Sequence, residues 1–476
     1  MSSKILRKTI GFWSATSIVI GSVIGSSIFM KPATMAAQLG SPYLIIIVWL
    51  VAGLISMFGA MAFAEMGTMF PETGGQYVYL RYAYGDFIAY LYGWSSIAVI
   101  NSAAIAAIAF VMASYAGYFI PLPHFNFITE HSVVISIPMI GDILPLQNFG
   151  VKSLAIFVIM SLSFINYVSV RSGNAIQFVA TAFKVAVIVI LIFGIFSSGK
   201  GHAINFITNS PSFHLSNWTL LAGFMAATTG AFASYDGWNN LNMIAGEIKD
   251  PSKNITRSLI IGLWICICIY MMVTLAYMYV LPIEVMAKSP LVASEATAIV
   301  MGQWGGAIIA FLIVISCLGS ANVNLLTNAR VIFAMGESKT FFNWAGSVHA
   351  KFNTPGNAVL LLGIWSSLLV LSGSFDILAD MFIFMSWVFY GLVVLGVFIL
   401  RKKLPNAERP YKAWGYPLIP ILFILFTALY IGVTLYNDIT NYLNGASPII
   451  NSVFGLLLTA IGIPLFYYFK WKQAKK

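Results

Sequence analysis

The chain has 476 residues, of which 59% are hydrophobic and only 8% are Asp, Glu, Lys or Arg. Water-soluble domains carry about 25% charged residues, so this composition excludes a chain that faces water over most of its surface. The net charge of +10 does not indicate a nucleic-acid partner, because the basic residues follow a membrane topology. A lipid bilayer must therefore surround most of the chain.

Apolar segments long enough to cross a bilayer as helices recur along the whole chain. They show no strict alternation of apolar and polar residues, which argues against a β-barrel. The pattern predicts an all-α membrane protein of about twelve transmembrane helices. The predicted helices, numbered 1 to 12 in chain order, cover residues 10–38, 43–70, 86–120, 151–169, 175–197, 217–245, 258–281, 303–335, 357–374, 377–400, 415–437 and 449–469.

The distribution of Lys and Arg predicts that both termini lie in the cytoplasm. Twenty of the 25 Lys and Arg residues then fall in cytoplasmic stretches, as the positive-inside rule requires. Lys31, Lys152, Lys200 and Lys288 fall outside those stretches, and Lys184 lies within a span. We expect a multi-pass protein of the cell membrane, with no cleaved signal peptide, because the first apolar segment is too long.

No residue pattern indicates an enzyme, a cofactor or a metal site. The three cysteines lie within predicted spans, where they are expected to pack against neighbouring helices. The five histidines lie in predicted loops without the spacing of metal ligands. The sequence contains neither a P-loop nor HExxH. We therefore expect no catalytic residue, no metal and no cofactor.

Two predicted helices contain glycines and small polar residues where a helix is poorly favoured. Helix 1 contains GSVIGSS at 21–27, and helix 6 contains AFASYDGWNN at 231–240. Interrupted helices at matching positions of two halves indicate a transporter's binding site, since the freed backbone groups must face a cavity or ligand. Gly21 and Gly25 alone could instead be a close-packing motif between intact helices. The matching interruption in helix 6, with Asp236 inside it, favours the first interpretation.

Several motifs resemble those of the amino acid–polyamine–organocation superfamily, and most closely its L-type amino acid transporter branch. They occur in the family's order over nearly the whole chain. They are GSSIF at 25–29, PETGGQYVYL at 71–80, YDGWN at 235–239, EIKDPSKNI at 247–255, GSAN at 319–322 and RPYK at 409–412.

The resemblance implies a LeuT-type fold, in which two inverted repeats of five helices each have a discontinuous first helix. Residues 1–200 would hold helices 1–5, residues 201–400 helices 6–10, and residues 401–476 the peripheral helices 11 and 12 with a basic cytoplasmic tail. The implied function is secondary transport of L-amino acids by alternating access, as a permease, proton symporter or antiporter. A carrier of polyamines or other organic amines is the alternative within the same fold.

The resemblance also assigns a substrate site to the two interruptions. The backbone at Val23, Ile24, Gly25, Ser26 and Ser27 would bind the substrate, with the Ser26 and Ser27 amides on its carboxylate. The substrate's amino group would meet the carbonyl of Val23 and those around Ala233 and Asp236, and Trp387 would line the pocket. Two positions depart from the family pattern: Ser27 replaces a glycine, and Ala233 replaces an aromatic gate. Phe232 and Tyr235 are the aromatic residues that could replace that gate.

Lys184 lies in the middle of helix 5, where a buried ammonium is costly and indicates a function. The resemblance places it where sodium-coupled relatives hold a sodium ion. It would contact carbonyls near Gly21 and Ile24, and a hydroxyl of Ser316 or, second, Ser320. Two roles remain open at this point: a proton carrier, and a fixed cation that ties helix 5 to helix 1.

A channel and a membrane enzyme are the rival classes of function. The sequence shows neither rings of pore-lining charge nor clustered acid–base residues at one depth. The animal L-type relatives bind an accessory subunit through a cysteine between helices 3 and 4. Residues 121–150 contain no cysteine, so we expect no disulfide-linked accessory subunit. The expected partners are a small-molecule amino acid substrate and the lipid bilayer.

Overall fold

The computed structural model describes residues 10–474 apart from 73, 139, 169–172, 211–216, 244, 246, 247, 350 and 353, and the side chains at 173–183 and 217 are also outside the description. Thr73 and Glu247 of the motifs, and His214, therefore lie outside the described residues. The α-helices are α1 (Phe12–Val23), α2 (Lys31–Leu39), α3 (Pro42–Met69), α4 (Gln76–Tyr84), α5 (Asp86–Ser95), α6 (Asn101–Ala116), α7 (Phe127–Glu130), α8 (Phe149–Val168), α9 (Gly173–Ser197), α10 (Asn217–Tyr235), α11 (Asn240–Met243), α12 (Pro251–Val280), α13 (Ile283–Lys288), α14 (Val292–Glu337), α15 (Gly356–Ser372), α16 (Phe375–Lys403), α17 (Leu418–Leu443), α18 (Asn451–Ala460) and α19 (Gly462–Ala474).

Each of the twelve predicted segments coincides with helix in the structure. Among the described residues, eight helices are long and apolar enough to cross a membrane by length and composition. Predicted helix 1 is divided between α1 and α2, and α1 alone, at 12 residues, would extend only about 18 Å. Predicted helix 6 is divided between α10 and α11. The chain is thus a helical, multi-pass membrane protein.

Three glycines of the helix 6 segment, spaced seven residues apart, bring it against the helix 1 segment. A Cβ atom on Gly223 would lie 2.9 Å from the carbonyl oxygen of Gln38, and one on Gly230 would lie 3.3 Å from Cδ of Lys31. One on Gly237 would lie 2.6 Å from the carbonyl oxygen of Ser22. As the residue numbers of the glycines increase along the helix 6 segment, those of the residues they contact decrease along the helix 1 segment. The two interrupted segments therefore run antiparallel and touch at their interruptions.

A buried carboxylate ties α3 to the far end of α16. Glu65 accepts hydrogen bonds from Arg401 through Nε at 2.9 Å and Nη2 at 2.7 Å, and from the Ala413 amide at 2.7 Å. Arg409 adds a contact of 3.6 Å to the same carboxylate. We name this group the Glu65 clamp. A bidentate guanidinium with a backbone donor satisfies the buried charge, so the clamp fastens these segments rigidly.

The segment between α6 and α8 departs from an all-helical chain. It contains an antiparallel hairpin of β1 (Ile135–Ile137) and β2 (Gly141–Ile143). The hairpin is fastened to the segment before α18, because the Ile450 amide donates to the Ile140 carbonyl at 2.8 Å and the Asp142 amide to the Pro448 carbonyl at 2.7 Å. Such short, exposed strands show little apolar periodicity, so the sequence pattern did not predict the hairpin.

Candidate functional site

The first interruption begins where α1 ends at Val23. Ile24 has extended backbone angles, a 3-10 turn follows at Ser27–Phe29, and α2 begins at Lys31. The side chains of Val23, Ile24, Ser26 and Ser27 are buried. A Cβ atom on Gly25 would meet only the Val23 carbonyl oxygen, at 3.8 Å. There is thus free space beside the backbone of Gly25, within a buried segment.

The second interruption follows the end of α10 at Tyr235. Gly237 has a φ of 101°, which L-residues with side chains rarely adopt, and it turns the chain before α11. The carboxylate of Asp236 accepts a hydrogen bond of 2.6 Å from the hydroxyl of Tyr390 on α16. Tyr390 therefore fixes the Asp236 side chain beside Gly237, and Tyr390 itself lies one helical turn from Trp387 on α16.

The aromatic residues at this site face different directions. Phe232 stacks on Trp387, with ring centroids 3.6 Å apart, and both side chains are buried. Tyr235 points instead toward α3, where its hydroxyl donates to the Trp49 carbonyl at 3.0 Å. Ala233 is also buried beside them. Of the two aromatic residues predicted as substitutes for the family's gate, only Phe232 contacts Trp387.

Tyr270 of α12 joins the two interruptions, and the sequence analysis missed it. Its hydroxyl lies 2.8 Å from the Val23 carbonyl oxygen and 2.7 Å from the Ser234 carbonyl oxygen. A phenol has one proton, so it can donate to only one of these carbonyls at a time. A tyrosine in an apolar helix gives no periodic signal, and only the distance to two carbonyls far along the chain identifies it.

Lys184 lies on α9 with its side chain buried, and its ammonium is 3.4 Å from the Ile24 carbonyl oxygen. Ser316 and Ser320 are buried on α14, where the Ser320 hydroxyl donates to the Ser316 carbonyl at 2.9 Å. Gly21 lies in the last turn of α1. In this conformation Lys184 thus donates its hydrogen bond to the helix 1 segment, at Ile24, rather than to either serine.

Asp376 and Asp380, in the first two turns of α16, share a specific partner. The Lys31 ammonium lies 2.7 Å from Asp376 and 3.0 Å from Asp380. The sequence treated Lys31 only as a residue outside the cytoplasmic stretches. The partners are about 345 residues apart in the chain, so no local pattern could have joined them.

Residues 10–460 match the family model described as amino acid permease. The chain belongs to the amino acid permease family. The family's description and the names of the relatives given below indicate that this permease is a transporter rather than an enzyme. Among the described residues, no three His, Cys, Asp or Glu side chains cluster as metal ligands would.

The permease is similar over nearly its full length to proteins named as amino acid carriers. It is 30% identical to the serine/threonine exchanger SteT of Bacillus subtilis over 473 residues, which cover 98% of each chain. It is 30% identical to the human b(0,+)-type amino acid transporter 1 over 431 residues, 89% of this chain and 81% of that one. It is 29% identical to the mouse large neutral amino acids transporter small subunit 2 over 480 residues, 99% and 82% of the two chains.

Proposed function

We propose that this permease is a secondary carrier of L-amino acids that works by alternating access, with its substrate bound at the two interruptions. One observation carries the proposal: two apolar spans are both interrupted, and the interruptions touch, with Gly237 against the Ser22 carbonyl. Helix ends leave N–H and C=O groups without intrahelical partners. Those groups suit the carboxylate and the ammonium of an amino acid.

The proposed roles follow the polarity of each helix end. The amides of Ser26 and Ser27 lie at the start of a 3-10 turn, where N–H groups have no intrahelical acceptor, and they would bind the carboxylate. The carbonyls of Val23, Ala233 and Asp236 would receive the ammonium. The free space beside Gly25 supports this placement, because a ligand can approach the backbone there. Phe232 and Trp387 would form the aromatic wall.

The proposed architecture is the LeuT-type fold, with residues 1–200 and 201–400 as inverted repeats and 401–476 as the peripheral part. The antiparallel contact between the segments that hold α1 and α10 supports it, because inverted repeats place their first helices in this way. We further propose twelve spans, location in the cell membrane and cytoplasmic termini, on the basis of the basic loops. The name of SteT favours exchange over net uptake.

Reconstitution tests the function directly. The purified protein would be placed in liposomes, empty or preloaded with unlabelled L-amino acids, and uptake of labelled L-serine and L-threonine would be measured. We expect saturable uptake that needs a preloaded amino acid. Ethanolamine, the decarboxylated form of serine, should not compete. Equal competition by the amine would remove the carboxylate from the mechanism and favour an amine carrier, and non-saturable flux would favour a channel.

A further inference from the structure

Lys31 occupies a charged contact that the transport site does not explain. It is the first residue of α2, four residues after Ser27, and its side chain is 2% exposed. Its ammonium lies between the carboxylates of Asp376 and Asp380, and 5.1 Å from the ring centre of Phe375. We name Lys31, Asp376 and Asp380 the outer triad, because the proposed orientation places them on the extracellular side.

The Lys31 side chain extends from α2 and contacts two other segments. Its carbon chain packs on Gly230 of α10, where an added Cβ would lie 3.3 Å from Cδ. Its ammonium binds the first turns of α16, the helix that carries Trp387 and Tyr390 further along. The Lys31 side chain therefore joins α2, which follows the first interruption, to α10, which precedes the second. It also joins both of them to α16, which lies beside the two interruptions.

The outer triad borders a water-accessible cavity of about 760 Å³. Met30, which directly precedes α2, and Thr34 of α2 line this cavity together with Phe375 and Asp376. Met30 is three residues from Ser27. Asp376 is 46% exposed, whereas Lys31 is almost fully buried. Asp380 is also partly exposed, at 30%, so water reaches both carboxylates of the triad, but not the ammonium that they share.

The triad differs in chemistry from the Glu65 clamp on the opposite side of the molecule. In the clamp, a planar guanidinium and a backbone amide hold one fully buried carboxylate. In the triad, one ammonium is shared between two carboxylates and leaves a net charge of −1 when all three groups are ionised. A compact ammonium binds without fixed bidentate geometry, so its contacts can be broken and remade more readily than those of the clamp.

We propose that the outer triad is an extracellular latch: Lys31 binding to Asp376 and Asp380 holds α2 against α10 and α16 and closes the path from the cavity to the substrate site. Opening that path requires the ammonium to leave at least one carboxylate. Without the lysine, two carboxylates would face each other unneutralised, and their repulsion favours separation of α2 from α16. This proposal rests on the proposed transport function and orientation.

The test measures access to the substrate site rather than transport. Ser27→Cys would be introduced after replacement of the three native cysteines, and an impermeant thiol reagent would be applied from the extracellular side. We expect Lys31→Met to raise the reaction rate about tenfold, which corresponds to about 1.4 kcal/mol in the opening equilibrium. Lys31→Arg keeps a cation between the carboxylates and should react no faster than the Lys31 parent, because a guanidinium holds carboxylates at least as firmly as an ammonium does.

The controls separate a latch from a structural contact. Glu65→Gln weakens the clamp and should lower the thermal unfolding midpoint without a comparable rise in extracellular reactivity. If Lys31→Met does not reach the membrane, the double variant Asp376→Asn and Asp380→Asn takes its place under the same expectation. An unchanged reaction rate in a folded variant would overturn the latch, and so would failure of both variants to fold. Exchange by the parent protein is measured separately, so failure of the transport function remains distinguishable.

Discussion

At the scale of single residues, Gly25 and Gly237 show how the same residue type meets opposite requirements at the two interruptions. Gly25 has free space beside it, whereas Gly237 lies against the Ser22 carbonyl in a backbone conformation with φ of 101°. Glycine at 237 is required by the fold itself. Glycine at 25 is required only if a ligand occupies the free space, so a substitution there reports on the substrate.

Gly25→Ala should therefore fold normally and transport poorly. Within 4 Å the added methyl group meets no atom other than the Val23 carbonyl oxygen, but it would displace a bound carboxylate. We expect KM for the amino acid to rise about tenfold or more, the equivalent of about 1.4 kcal/mol. The measurement is uptake kinetics alongside the thermal unfolding midpoint. Gly237→Ala is the contrasting variant and should lose stability, because its methyl group meets backbone.

Lys184→Ala should reduce turnover at least about tenfold while the protein still folds. The Ile24 carbonyl would lose its donor, and an unpaired buried carbonyl costs about 1–3 kcal/mol, enough to shift the equilibrium between conformations. Lys184→Arg should fail as well, because a planar guanidinium does not replace a compact ammonium. Turnover is measured per reconstituted molecule, with and without an inward proton gradient.

Lys152→Ala is the matched control for Lys184. Lys152 is also buried and also donates to carbonyls, at Leu144 and Leu371, but it lies away from the interruptions. Its removal should lower stability more than turnover. If Lys184→Ala turns over at the wild-type rate, Lys184 is neither a proton carrier nor an essential fixed cation. If the parent responds to the proton gradient and Lys184→Ala does not, Lys184 acts as a proton carrier. If the parent does not respond, the remaining role for Lys184 is a fixed cation that ties helix 5 to helix 1.

At the scale of helices, α12 connects the two interruptions through Tyr270. Its hydroxyl is within hydrogen-bond distance of one carbonyl from each interruption. The Val23 carbonyl is among the groups proposed to receive the substrate's ammonium, and Ser234 lies next to Ala233, another of them. Tyr270 therefore holds the two ends together, and a bound ammonium would compete with its hydroxyl for the Val23 carbonyl.

Tyr270→Phe should lower turnover about tenfold, since at least one buried carbonyl loses its donor at about 1–3 kcal/mol. Exchange rates in proteoliposomes, corrected for the amount of folded protein, measure this effect. Tyr84→Phe is the control, because the Tyr84 hydroxyl donates to the Leu392 carbonyl at 2.7 Å, away from both interruptions. An equal loss in both variants would assign the effect to the removal of any tyrosine hydroxyl rather than to the contact between interruptions.

The helices were predictable because each carries its own apolar signal within about 20 residues. The interruptions were predictable for the same reason, since glycine and small polar residues break that signal locally at 21–27 and 231–240. Apart from the contact of Lys184 with the Ile24 carbonyl, which the family resemblance implied, contacts between segments were not predictable. Lys31 with Asp376, Tyr270 with Val23 and Glu65 with Arg401 join residues far apart in the chain. Neither helix propensity nor hydrophobic periodicity carries information about pairs of residues so far apart in the chain.

At the scale of the whole molecule, the segment between α6 and α8 bears on whether the chain works alone. In the mouse relative, the words "small subunit" in the name imply an assembly. Here residues 121–150 contain no cysteine, and the hairpin within them is bound to the segment before α18 by backbone hydrogen bonds. The name of the bacterial exchanger SteT contains no such words, and its alignment with this chain covers 98% of each protein.

We therefore predict that the purified single polypeptide exchanges amino acids in liposomes without a second protein. Its hydrophobic helices have lipid as their partner, and the hairpin segment is already fastened to its own chain, so neither needs an accessory subunit. Counterflow of labelled L-amino acid, measured with protein purified to one band, checks this expectation. A reconstituted chain that is folded by its unfolding midpoint but exchanges only after a membrane extract is added would contradict it. Denatured protein in the same liposomes provides the background.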